Sequence, residues 1–317
     1  LKVQLIRGTV DQALASDGKI THTEAVGILN AAIDAAKAAN GAGGTVGASV
    51  LADLRAVSLR GDSVFSSPDL TGKESGYLSY VFDKVVNTSA ANAFFTGGTT
   101  TKSALGNLNA NSPISVLEKL RDKWLLGLDL PDPRTQGDTA NPSATAASGV
   151  YKSFNGILVD AGGFNTTDVQ QGSAGTCYLL SSAAFVAETE TYAKASGLAS
   201  IASYKTAFEQ VFTTNGGSAP SWGVRFLDMY GKAHWVTVNN KLAAQSATAT
   251  SPLYAKPAVS ASGSSELWMP LLEKAYAQAN EIGIFGRDAS DNAYFAIEGG
   301  LAEPVTSLVG GGVSFFD

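Results

Sequence analysis

Residues 168–180 read Asp-Val-Gln-Gln-Gly-Ser-Ala-Gly-Thr-Cys-Tyr-Leu-Leu, and they contain the only cysteine of the chain, Cys177. It follows a glycine-containing turn and precedes a run of helix formers, which places a thiol at a helix N-terminus. The unpaired N–H groups and partial positive charge of such a terminus favour thiolate over thiol. Gln171, upstream in the same turn, can fold its amide back and donate to a developing oxyanion. Nucleophilic attack on a carbonyl is the chemistry these residues suggest. The bland reading of a lone cysteine is a small buried hydrophobe, and the surrounding residues decide against it.

The segment resembles the nucleophile region of calpains, where Gln-Gly-x-x-Gly-x-Cys is followed by an aromatic residue and a Leu-Leu pair. Gln171, Gly172, Gly175, Cys177, Leu179 and Leu180 match, with Tyr178 in place of the family's usual Trp. Trp235-Val236-Thr237-Val238-Asn239-Asn240-Lys241-Leu242 is similar to the family's strand ending Asp-Asp-Arg-Leu, with amides for both acids. Glu266-Leu267-Trp268-Met269-Pro270-Leu271-Leu272-Glu273-Lys274-Ala275-Tyr276-Ala277 resembles the family's Glu-Phe-Trp helix, and Gly299-Gly300 and Gly310-Gly311 fall where paired glycines are expected. Ordered matches of this kind are far more specific than one motif alone. The resemblance covers residues 150–317 and nothing before them.

The resemblance implies an α+β fold in which a helical N-terminal domain precedes the nucleophile-bearing subdomain of a papain-like cysteine peptidase. It implies that Cys177 attacks the carbonyl of a protein or peptide substrate, with Gln171 and the Cys177 N–H as oxyanion donors. The family's catalytic His and Asn lie in a C-terminal catalytic subdomain beyond the paired glycines, so this chain alone is expected to lack them. Leu1 is not an initiator methionine, and the expectation is a precursor or a processed fragment of an autoprocessing endopeptidase zymogen. A calcium site is also implied: Asp168, Glu266 and the carbonyls of Ala161 and Gly163 occupy the matching positions. The competing roles are caps, Asp168 on the active-site turn and Glu266 on its helix. Two other functions stand beside the peptidase: a catalytically silent calpain-like binding module, and an acyl or amide transferase on a papain-like scaffold. The pairing of Cys177 with Gln171 favours the enzyme over the silent module.

A cysteine peptidase needs a base, usually His oriented by Asn or Asp. The chain has two histidines. His22 falls in Thr21-His22-Thr23-Glu24, a capping box that makes it an exposed first-turn residue. His234 precedes Trp235 at the start of a strand, where calpains have no catalytic residue, and is read as structural. Asp17-Gly18-Lys19-Ile20 with Glu24 reproduces the second half of an EF-hand loop, but Ala13 and Ala15 stand at the first ligand positions, so it is read as helix-loop-helix packing alone.

A net charge of −6 with no basic cluster argues against a nucleic-acid partner. No signal-peptide pattern and no apolar run long enough for a membrane segment is present. Abundant Ala, Gly, Ser, Thr and Asn with few charges weakly suggests a secreted prokaryotic protein. Upstream of residue 131 the periodicity is helical: Val26, Leu29 and Ile33; Val50, Leu51, Leu54 and Val57; Tyr77, Leu78, Val81, Phe82 and Val85; and, after Pro113, Ile114, Leu117, Leu120 and Trp124. Residues 1–130 are therefore expected to form a helical pro- or regulatory domain, 131–149 a flexible linker open to processing, and 150–317 the first catalytic subdomain. In the last, a helix is expected from Cys177 to about Lys194, a second through Tyr204, Phe208, Val211 and Phe212, a hairpin from Trp222–Met229 and Trp235–Val238, and a helix from Glu266 to Gln278.

Overall fold

The capping box read at Thr21 starts a helix as its residue types require: Glu24 Oε2 accepts from Thr21 N at 2.8 Å, and Glu24 N donates to Thr21 Oγ1 at 3.4 Å. The computed structural model describes residues 2–136, 147–196, 208–215, 220–287 and 290–300. The helices of the N-terminal part are α1 (Lys2–Leu14), α2 (His22–Asn40), α3 (Ala48–Ser58), α4 (Tyr77–Val86) and α5 (Ile114–Trp124), with a small ladder of β1 (Phe94–Phe95) and β2 (Ser103–Ala104). The apolar stripes predicted for α2 to α5 turn inward together, burying Leu29, Leu54, Val81, Phe82, Leu117 and Leu120 in one core.

Downstream, β3 (Val150–Ser153) pairs antiparallel with β7 (Lys241–Ala244), and β4 (Phe212–Asn215), β5 (Ser221–Leu227) and β6 (Ala233–Asn239) form an antiparallel sheet in that order. A two-residue pair, β8 (Ala258–Val259) and β9 (Ser265–Glu266), leads into α7 (Trp268–Ala279), while α6 (Cys177–Ser196) carries the cysteine. Helices and small antiparallel sheets make the chain α+β. Leu179, Leu180, Ala183, Phe212, Val224, Val236, Trp268 and Leu272 meet in a second core.

The hairpin and α6 lie where they are expected. The helix anticipated through Phe212 is a correction: residues 201–207 fall outside the described part, Phe208–Gln210 is a turn, and Phe212 opens β4. Its β-branched Thr213 and Thr214 sit opposite Gly223 and Trp222 of β5, so sheet pairing overrides helical spacing. α7 begins two residues after the expected start, because Glu266 pairs with Ala258 in β9.

His22 is also corrected: it is 8% exposed, and its Nε2 lies 2.8 Å from Leu125 O. α5 and the residues after it pack over the first turn of α2 and bury the ring, and that burial lowers its pKa.

The third correction concerns the linker. Pro131, Asp132, Pro133 and Thr135 are buried. Asp132 N donates to Asn292 O at 2.9 Å, Tyr294 N to Asp132 O at 3.1 Å, and Thr135 N to Ala147 O at 2.9 Å. Tyr151 Oη donates to Pro131 O at 2.9 Å, and Tyr254 Oη to Pro133 O. A proline-rich stretch poor in large apolar groups cannot order itself, but tyrosines brought from elsewhere order these flanks. Residues 137–146 of the expected linker lie outside the described part.

The helical part is joined to the sheet by more than this strap. Trp235 of β6 belongs to the helical core and meets Tyr77 edge-on at 5.6 Å. Tyr77 Oη bonds Thr237 Oγ1 at 2.7 Å, Asn239 Nδ2 donates to Gly127 O at 2.8 Å, and Thr237 Oγ1 donates to Trp124 O. Gly127 has φ 61°, and a Cβ there would stand 2.8 Å from Thr237 O, so glycine permits this approach.

Candidate active site

Cys177 is the first residue of α6 and is exposed. The turn before it is held at several points: Ser173 N donates to Leu253 O at 3.1 Å, Gly175 N to Glu298 Oε1 at 3.0 Å, Gly299 N to Gly175 O at 2.9 Å, and Thr176 Oγ1 to Glu273 Oε1 at 2.5 Å. Gly172 is required by space, since a Cβ there would fall 1.8 Å from Tyr254 O. Leu180 N reaches back to Thr176 O at 3.1 Å, closing the first helical turn around the cysteine.

Gln171 is exposed and its Nε2 donates to Ala174 O at 3.1 Å. An amide NH2 carries two donors. One bond orients the group on the turn, and the second proton can serve a substrate oxygen.

Tyr178, the departure from the family's Trp, is buried and donates its hydroxyl to Ile297 O at 2.7 Å, while Arg287 Nη1 donates to it at 3.1 Å. Burial holds this phenol well above its ordinary pKa. Gly300 lies against the ring, where a Cβ would come within 2.9 Å of it. Gly299-Gly300 therefore lines the turn that bears Cys177; Gly310-Gly311 lies outside the described residues.

Both histidines are engaged elsewhere. His234 Nε2 lies 3.0 Å from Asp228 Oδ2 and Nδ1 3.2 Å from Tyr80 Oη, so its ring ties the hairpin to α4. The His234 bond also draws the pKa of Asp228 down. Asn239, one of the amides standing where calpains have acids, accepts at Oδ1 from Lys274 Nζ at 2.8 Å. Lys274 Nζ also donates to Asn239 O at 2.9 Å and Lys241 O at 2.7 Å, three acceptors for three protons. Burial without a carboxylate partner pushes the Lys274 pKa well down, as does nearby Lys241.

Asp168 and Glu266, expected to share calcium, are both buried. Asp168 Oδ2 accepts from Asn165 N and from Trp268 Nε1, each at 2.9 Å, so Asp168 closes the short 3-10 turn Thr166–Asp168 rather than the turn before Cys177. Glu266 does not cap α7; Leu267 is at that position, and Glu266 Oε2 accepts from Asp160 N at 3.3 Å. Burial raises the Glu266 pKa, and the neighbouring Asp168 and Asp160 raise it further, which places the three acids near one another. Gly163 O accepts from Asn165 Nδ2 at 2.7 Å. Among the described residues no three His, Cys, Asp or Glu side chains group as a metal-ligand set, so an ion here would need carbonyl and water oxygens too. In the EF-hand-like loop Asp17 Oδ1 accepts from Lys19 N at 2.9 Å, and Glu24 is occupied by Thr21.

Sequence reading missed the carboxylates behind the turn, Glu273 and Glu298. Glu273 was visible only as part of the helix motif, and nothing in the sequence joined either acid to Thr176 or Gly175. No described helix is long and apolar enough to cross a membrane. Residues 150–307 match the family model described as calpain family cysteine protease. No curated protein matches the chain.

Proposed function

The chain belongs, over residues 150–307, to the calpain family of cysteine proteases, and from that membership we propose that Cys177 is the nucleophile of an endopeptidase. Its thiolate attacks the peptide carbonyl carbon, the Cys177 N–H and the Gln171 amide receive the oxyanion, and the C–N bond breaks as the leaving amine takes a proton. Water then hydrolyses the thioester. The base and its orienting amide come, in this reading, from a second catalytic subdomain, because His22 and His234 are both committed to structural bonds. The observation that carries the proposal is the exposed thiol at the first position of α6 beside a Gln-bearing turn.

Asp168, Glu266 and the carbonyls of Ala161 and Gly163 are proposed to hold calcium. The fit rests on the buried Glu266, whose carboxyl pKa is raised by burial and by the neighbouring charges of Asp168 and Asp160. Two such groups repel unless a cation or a proton intervenes. The ion would stiffen the loop leading to Gln171. The helical part is proposed as a pro- or regulatory domain.

The test is iodoacetamide labelling of the intact chain, with the modified residue read by mass spectrometry. Cys177 should react faster than glutathione under the same conditions, and Cys177→Ala should abolish hydrolysis in the enzyme that includes the second subdomain. Vigorous peptide turnover by residues 1–317 alone would overturn the assignment of the base to another subdomain.

A further inference from the structure

The two residues immediately before Cys177 are each held by a carboxylate that arrives from far along the chain. Thr176 Oγ1 donates to Glu273 Oε1 at 2.5 Å, and Gly175 N donates to Glu298 Oε1 at 3.0 Å. Each acid is anchored by its other oxygen. Glu273 Oε2 accepts from Ala255 N at 2.8 Å, and Glu298 Oε2 accepts from Gln136 N at 2.5 Å. We propose that Glu273 and Glu298 are positioning residues that set the backbone of Gly175 and Thr176, and through it the aim of Cys177. This inference rests on the reading of Cys177 as the nucleophile.

The physical case begins with cost. Glu273 is 1% exposed in the middle of α7, and its oxygens accept from a hydroxyl and a backbone amide. Lys256 attracts it only from a distance, and the tyrosines 151, 178, 254 and 294 surround it. Burial pushes its carboxyl up to about 7. An apolar side chain of similar volume would pack α7 without that desolvation penalty. What the carboxylate does that an apolar group cannot is hold Thr176 and Ala255 at once.

Glu298 does the matching work on the exposed side. Its bond to Gly175 N is reinforced by Gly299 N on Gly175 O, so both polar groups of one peptide unit neighbourhood are fixed from residues 298–299. Its second bond joins the turn to Gln136, whose Nε2 also donates to Phe295 O at 3.0 Å. The strap leaving the helical part thus ends on the same carboxylate that holds the nucleophile turn.

The experiment measures, in the full chain, the rate constant for iodoacetamide alkylation of Cys177 and hydrogen exchange of peptides spanning 171–178, with melting temperature as the check on folding. Thr176→Val and Glu298→Ala should each slow alkylation about tenfold, as expected for loss of a charge-assisted bond, and speed exchange in that peptide. Thr176→Ser returns the hydroxyl and should restore both values. Glu273→Gln should resemble Thr176→Val; if it does not fold, the Thr176 pair decides. Unchanged alkylation and exchange in Thr176→Val and Glu298→Ala, or a Ser variant no better than Val, would overturn the proposal. Wild-type Cys177 reacting no faster than glutathione would instead remove the nucleophile reading, and the exchange data would still decide the positioning role.

Discussion

The two ends of α7 bury acids in opposite ways. Beyond its C-terminus, Glu281 Oε1 lies 2.7 Å from Lys123 Nζ, which also pairs with Asp129 Oδ2. Asp129 Oδ1 accepts from Thr96 N at 2.6 Å and Gly97 N at 2.8 Å. Burial opposes the charge on Lys123, yet Glu281 and Asp129 together raise its pKa. Before the N-terminus, Glu266 stands beside Asp168 and Asp160, and among the described residues none of these three has an ion-pair partner. One end carries its own cation and uses it to lock the helical part onto the peptidase part. The other meets its acids with N–H donors alone, from Asn165, Trp268 and Asp160. Glu273, between them, relies on neutral donors, the Thr176 hydroxyl and the Ala255 N–H.

The sharpest way to break this contrast is Lys123→Met, which strands two acids at the seam. The expected loss is about 3–5 kcal/mol in urea unfolding at neutral pH. A loss under about 1 kcal/mol would mean that water, not the lysine, compensates the acids.

Next in size is the pH dependence contributed by Glu273. Its carboxyl is pushed up by burial from 4.5 to about 7. The folded chain therefore holds this proton more tightly than the unfolded chain, so the stabilisation is complete below about 4.5 and is lost as the pH rises through about 7. The slope is about 1.4 kcal/mol per pH unit, or roughly 3 kcal/mol across the window. The nearby tyrosines, whose pKa values burial raises, stay neutral there. Urea midpoints of wild type and Glu273→Gln at several pH values check this: the variant should be flatter by that slope, and parallel curves would contradict it.

The smallest effect expected is calcium binding at the other end of α7. Millimolar calcium should raise the melting temperature by about 2–4 °C, the response to roughly 1 kcal/mol of ligand stabilisation. A double variant, Asp168→Ala with Glu266→Ala, should lose the shift. An equal shift in both proteins would place any binding elsewhere.

Much of the secondary structure was legible because its causes are local. The Thr21 and Glu24 cap acts across three residues, the stripes of α2 to α5 repeat within one or two turns, and Tyr230-Gly231-Lys232 marks the β5–β6 turn by its own composition. Cys177 and Gln171 were legible for the same reason, lying in one short turn of recognisable pattern. His22 was misread because the residue that buries it is Leu125, 103 positions away. The helix expected through Phe212 failed where Thr213 and Thr214 met a partner strand.

By itself the sequence determined the place of Cys177 at the start of a helix, the turn that carries it, the α+β alternation and the inward faces of the helices, since these follow from side-chain type at short spacing. Tertiary structure alone decided that Pro131–Gln136 is strapped down, that Lys123 meets Glu281, and that Glu273 and Glu298 hold Thr176 and Gly175. Thr176 and Glu273 are 97 residues apart, and Gly175 and Glu298 are 123 apart. No local pattern specifies such pairs, because the free energy of a buried carboxylate depends on which donors the folded chain brings to it.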